Sequence, residues 1–130
     1  IGSLAGSMPV QPSSCNPSRN VPILHIHGVL DEIIPYESQW DWKAWNSVGT
    51  MSDIPGLVDF WSNLYNCTLQ STSTINSSIE LDVREGCRGG ARVEHYRMQN
   101  GTHSWPVTVG KIDTPELFWS FMSLFSLESN

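Results

Sequence analysis

The stretch Val21-Pro22-Ile23-Leu24-His25-Ile26-His27-Gly28-Val29-Leu30-Asp31-Glu32-Ile33-Ile34-Pro35-Tyr36 decides how this chain is read. Val21 to His27 is a short run of mostly apolar, β-branched residues that stops at a glycine. Such a run suits a strand buried on both faces of a parallel sheet better than the half-exposed strand of a hairpin. Period-two alternation places His25 and His27 on one face and Leu24 and Ile26 on the other. Asp31 then follows four residues after His27, just beyond the strand's C-terminal end, where open α/β sheets collect their reactive groups.

Moving downstream, Val29 to Thr50 carries Pro35, Tyr36 and the trio Trp40, Trp42 and Trp45, and reads as a long, partly helical loop over the sheet edge. Asp53 is placed to cap a helix that starts near Ile54-Pro55. Leu57, Val58, Trp61, Leu64 and Tyr65 give it one apolar stripe, and it should end near Asn66-Cys67. Thr68 to Ser78 is Ser/Thr-rich and reads as a surface excursion, and Ile79 to Val83 as a short edge strand. After the Gly89-Gly90 turn, Arg92 to Met98 alternates well enough for a further strand. Asn100 to Lys111 is a loop containing His103. Thr114-Pro115-Glu116 opens a terminal helix through Ser126, with Leu117, Phe118, Phe121, Leu124 and Phe125 on its buried face. Upstream, Ile1 to Ala5 reads as a short buried strand broken at Gly6 and Pro9, and Gln11 to Asn20 as a Pro/Ser/Asn-rich loop. The succession of strand, acid loop, helix, strand, histidine loop and helix predicts the closing half of a doubly wound α/β sheet. Such a half exposes apolar edges, so a preceding portion of the same polypeptide or a companion chain is expected beside it.

His103 lies five residues after Met98, as Asp31 lies shortly after His27. Two loops at neighbouring strand ends can meet although 72 positions separate these residues. An aspartate on one imidazole nitrogen leaves the other as a general base toward a serine. Taken alone, Asp31 reads more readily as a turn or cap carboxylate, and His103 as a surface-loop histidine. Glu32 is a local competitor for the acid. His25 and His27 read first as packing residues, with His27 a candidate neighbour of the acid, and His95 as a strand residue without a chemical task. The four histidines have no zinc-ligand spacing, and no C-x-x-C pair exists. No metal and no organic cofactor are implied.

Four segments in the right order give the chain a resemblance. VPILHIHGVLDEIIPY (21–36) is similar to the strand-plus-acid motif, and NGTHSWP (100–106) to the histidine motif, of the polyhydroxybutyrate-depolymerase, acetylxylan-esterase and feruloyl-esterase-like group of α/β-hydrolases. Phe60-Trp61 through Asn66-Cys67 resembles that group's cysteine-ending helix, and Cys87 followed by Gly90-Ala91-Arg92-Val93 the region of its partner. The resemblance implies the C-terminal part of a doubly wound α/β-hydrolase sheet over residues 1–130. It implies Asp31 and His103 as triad acid and base, and a disulfide between Cys67 and Cys87 whose loop closure is worth about 3 kcal/mol. Cys15 is then left free or paired outside this chain. The G-x-S-x-G elbow is absent, because Gly2-Ser3 and Gly6-Ser7 lack its spacing, and the oxyanion donors go with it. The implied function is therefore a serine carboxylic-ester hydrolase whose nucleophile lies in an upstream segment or companion chain, the isolated chain being inactive. Its implied substrates are acetylated or feruloylated plant polysaccharide or polyhydroxyalkanoate esters. A non-catalytic, secreted carbohydrate-binding or interaction protein derived from the same fold is the alternative. Trp105, Trp40, Trp42 and Trp45 are candidate substrate contacts, since aromatic faces stack on sugar or feruloyl rings; equally, they suit covering the sheet edge.

Composition bounds the rest. At 130 residues the chain is long enough for one domain with a real core. A formal charge of -6, with seven basic residues spread thinly, gives no footprint for nucleic acid. No stretch approaches the roughly 18 apolar residues of a membrane span. Sequons at Asn66, Asn76 and Asn100, together with the implied disulfide, predict a secreted, extracellular protein.

Overall fold

The computed structural model describes residues 1–9, 15–42 and 47–126. In chain order the elements are β1 (Gly2–Leu4), β2 (Ile23–Gly28), β3 (Trp40–Asp41), β4 (Thr50–Met51), α1 (Ile54–Leu64), β5 (Leu69–Asn76), β6 (Ile79–Glu85), β7 (Val93–Met98), β8 (Thr108–Val109), β9 (Ile112–Asp113) and α2 (Thr114–Met122). β2 is buried at all six positions, as its unbroken apolar character requires. Its Leu24 and Ile26 join Tyr96, Ile79 and the α2 residues Leu117, Phe118 and Phe121 in one core. On the opposite face Ile23 packs with Val93, Val58 and Tyr65 beneath α1. Each fully buried aliphatic side chain contributes about 2 kcal/mol. A one-residue slip of β2 would exchange those apolar groups for imidazoles, so its register is strongly fixed.

The expected doubly wound α/β-hydrolase sheet is not what the chain builds. Five strands form one mixed sheet in the order β1-β2-β7-β6-β5. β1, β2 and β7 run parallel, but β6 and β5 are antiparallel. Two further two-stranded ribbons, β3-β4 and β8-β9, add strand rather than helix. The divergence begins at Thr68 to Ser78, expected as a surface excursion. It is the edge strand β5, exposed at every position, so no apolar periodicity marks it. Asn76 Oδ1 accepts the Ser78 N–H and folds the chain straight back into β6. β6 thereby becomes an interior strand instead of the expected edge. α2 also stops at Met122, short of Ser126, and Leu124 is exposed rather than buried.

Val29 to Thr50, expected to be partly helical, carries β3 and the start of β4 and no helix among the described residues, and β1 is partly exposed rather than buried. The signals around α1 read correctly. Asp53 caps α1 by accepting the Gly56 N–H at 3.0 Å. Ile54, Leu57 and Val58 form the buried side of α1, and Asn66, in the left-handed region at φ 52°, ends it. Cys67 and Cys87 form a disulfide that ties the end of α1 to the turn before β7.

Candidate active site

Parallel pairing sets Gly28 opposite Met98, so the loops after β2 and β7 leave the sheet side by side. Val29 N–H donates to the Met98 carbonyl and Leu30 N–H to the Gly101 carbonyl, both at 2.9 Å. The two backbones come so close that a Cβ on Gly28 would collide with the Gly101 carbonyl. Across this junction His103 Nδ1 and Asp31 Oδ2 meet at 2.8 Å.

Asp31 is held on every side. Its Oδ1 accepts the N–H groups of Ile33 and Ile34, each at 2.8 Å, in an Asx turn. Its Oδ2 faces His103 and also stands 3.2 Å from His27 Nε2. Burial pushes the Asp31 carboxyl up, but the Ile34 N–H, the His103 hydrogen bond and the Ile33 N–H outweigh it and leave the group below its ordinary value. The carboxylate side chain is fully shielded, whereas that of His103 remains 35 % exposed. An ionised acceptor on Nδ1 fixes the proton there and leaves Nε2 as the ring nitrogen available to a reacting group. Both residues line an open cleft of about 700 Å³, with Leu30 and Ile33 as exposed apolar walls and Thr102 beside them.

A second histidine system, with no counterpart in the sequence reading, lies beneath the first. Gly6 O can only accept, so His25 Nε2 donates to it at 3.0 Å and His25 Nδ1 is left as an acceptor. His95 Nδ1 donates to that nitrogen at 3.0 Å, and the Tyr36 hydroxyl donates to His95 Nε2 at 2.8 Å. Tyr36, His95 and His25 are all buried. Burial lowers the His25 pKa to about 4 and takes that of His95 well below its ordinary value. The only sequence cue was the shared face of His25 and His27. Pairing of His25 with His95 depends on strand register, which no local motif records.

Trp40, Trp42 and Trp105 are not among the residues that line the cleft. Glu32 borders the cleft, but Asp31 makes the imidazole contact. Trp40 stands on β3 with its ring 5.2 Å from that of Trp42, and Trp105 is an exposed loop residue whose ring lies tilted 5.9 Å from that of Phe118 of α2. Trp45 falls outside the described residues. Asn66, Asn76 and Asn100 are all exposed, and the Asn100 amide donates to Ser78 Oγ at 3.1 Å. Cys15 is an exposed free cysteine. Among the described residues, no group of three or more His, Cys, Asp or Glu side chains is arranged to hold a metal ion. No helix among them is long and apolar enough to cross a membrane. No hydroxyl of the described residues hydrogen-bonds to His103; Ser7 donates to the Ser52 carbonyl, and Ser104 contacts Thr102.

No known family model matches this chain, and no curated protein is detectably similar to it in sequence.

Proposed function

We propose that residues 1–130 supply the acid and the base of a serine carboxylic-ester hydrolase whose nucleophile is carried by a segment outside this sequence. The observation that carries the proposal is the 2.8 Å contact between His103 Nδ1 and the shielded, ionised Asp31 at the floor of an open cleft. In the reaction, the serine Oγ attacks the ester carbonyl while His103 Nε2 takes its proton. Asp31 keeps the ring oriented and stabilises the imidazolium without taking its proton. The imidazolium then protonates the departing alkoxide, releasing the alcohol and leaving an acyl-serine. Water, deprotonated by the same Nε2, attacks the acyl carbon, and the proton returns to the serine as the acid leaves. The apolar walls Leu30 and Ile33 suit an acyl or aryl group better than a charged one, which agrees with acetyl, feruloyl or polyhydroxyalkanoate esters. The disulfide and three exposed sequons support secretion.

The test uses protein purified from its natural source. Intact mass, reduced and non-reduced, identifies any preceding segment or co-purifying chain, and a fluorophosphonate probe reports an activated serine. The expected result is a labelled serine in a G-x-S-x-G context and ester hydrolysis lost in His103→Ala. A protein consisting of these 130 residues alone, unlabelled by the probe, would overturn the proposal.

A further inference from the structure

The proposed chemistry uses one imidazole on Asp31, yet the structure puts two there. We infer that His27 is a positioning residue, a buried clamp that, through its hydrogen bond to the Ile34 carbonyl and its N–H facing Oδ2, holds the Asp31 carboxylate in line with His103; this rests on the esterase proposal for its purpose but not for its geometry. The His27 ring is buried, and its Nε2 lies 2.9 Å from the Ile34 carbonyl and 3.2 Å from Asp31 Oδ2. Both neighbours are acceptors, so the ring proton sits on Nε2; it is donated to the Ile34 carbonyl, and Asp31 Oδ2 stands in electrostatic contact with the same N–H. Ile34 also donates its N–H to Asp31 Oδ1. The result is a closed cycle of contacts: one carboxylate oxygen accepts the Ile34 N–H, the Ile34 carbonyl accepts the His27 N–H, and that same N–H stands 3.2 Å from the other carboxylate oxygen.

The cycle fixes what the Asx turn alone leaves open. Two backbone N–H groups pin Oδ1, but the carboxylate can still twist about the pinned atom, and Oδ2 is the atom that His103 needs. His27 cannot follow such a twist. Its ring is stacked on His25 with centroids 5.5 Å apart and is wedged by the Tyr36 ring at 5.9 Å. His27 Nδ1 has no hydrogen-bond partner among the described residues. A proton there would create a buried cation with an unpaired donor, so the ring is held as a neutral Nε2–H donor. Burial acts in the same direction on its pKa, against the Ile34 carbonyl and Asp31.

The experiment is ring-nitrogen NMR of the histidine-labelled protein, prepared together with any preceding segment or companion chain that the mass measurement identifies. In the unaltered protein, His103 should show an Nδ1–H proton shifted downfield by its carboxylate partner, and His27 an Nε2–H tautomer. His27→Phe keeps an aromatic ring but removes the donor. It should speed exchange of the His103 Nδ1 proton with water by about tenfold or more, the scale on which partners behind a functional ligand act. His27→Gln, which offers an N–H close to the Nε2 position, should restore slow exchange. Unchanged position and exchange of the His103 proton in His27→Phe would show packing only and overturn the inference. Should that variant fail to fold, Asp31→Asn decides: the His27 Nε2 proton should move upfield as the facing carboxylate loses charge, and an unmoved signal rejects the clamp. Ester hydrolysis enters none of these readouts. A protein that passes them but leaves the fluorophosphonate unreacted loses the esterase proposal and keeps the clamp; the converse result removes only the clamp.

Discussion

Two imidazole systems rise from the same pair of strands, and they differ in what ends them. The chain Tyr36–His95–His25 terminates on the Gly6 carbonyl, a neutral acceptor, and all its rings are buried and neutral. The chain His27–Asp31–His103 contains an ionised carboxylate and ends on a ring that is 35 % exposed. Only the second has the form that the proposed reaction needs. In the first system both ring nitrogens of His25 and of His95 are taken up by neutral partners, although Tyr36 and His95 border a cleft of about 280 Å³; in the second an ionised carboxylate holds one nitrogen of a part-exposed ring. The first ties the Gly6 loop, the sheet and the Tyr36 turn together, and the second places an imidazole with a carboxylate behind it at the surface.

That contrast is sharpest at Asp31. In the protein that carries the nucleophile, Asp31→Asn should lower kcat on the order of 10⁴-fold, because the neutral amide no longer fixes the ring tautomer or stabilises the imidazolium. Rates of ester hydrolysis check this, and a loss below about tenfold would erase the distinction between the two systems. The buried system should instead declare itself in stability. The His25 pKa is depressed from 6.5 to about 4 in the folded chain. Between those values the unfolded state binds the extra proton, so stability is fully present above pH 6.5 and is lost as pH falls toward 4. The difference corresponds to about 3 kcal/mol. Urea midpoints measured across that range should show the loss, and His25→Phe should flatten the slope; an unchanged slope would mean that His25 does not drive it.

Two smaller perturbations serve as controls that touch neither system. Replacing both Cys67 and Cys87 by alanine opens a tie at the opposite end of β7 and should cost about 2–3 kcal/mol in urea unfolding. The His103 Nδ1 proton signal should survive it; disappearance would show that the dyad depends on distant bracing. Asp53→Ala removes an aspartate that also accepts a backbone N–H, but only to cap α1. It should cost about 1 kcal/mol in urea unfolding and leave ester hydrolysis unchanged. A strong loss of rate would place α1 within the working site.

What was legible in the sequence was what is locally encoded. The apolar run 23–28, the cap at Asp53, the stripe on α1 and the glycine-bounded loops with Asp31 and His103 each carry their cause within a few neighbouring residues. β5 carried no such cause, because a strand exposed at all eight positions shows neither face of a period-two pattern. With β5 hidden, β6 was expected at an edge and the sheet as a parallel one, and the resemblance to a doubly wound fold carried that error forward. His25 and His95 lie 70 positions apart and meet only through the parallel register of β2 and β7. The carboxylate's second imidazole was visible as a neighbour, but the cycle through the Ile34 carbonyl depends on how the turn after β2 folds.

The junction between Gly28 and Gly101 has a consequence for inheritance. Each glycine meets backbone across the gap, so a side chain gained at one position cannot be accommodated by trimming the other. Neither residue touches a proton in the proposed reaction. Even so, drift at either should be filtered out as strictly as drift at Asp31 or His103, because the two loops would no longer share an address. A lineage that had abandoned the chemistry would be free to lose the acid and the base first and this pair of hydrogens last.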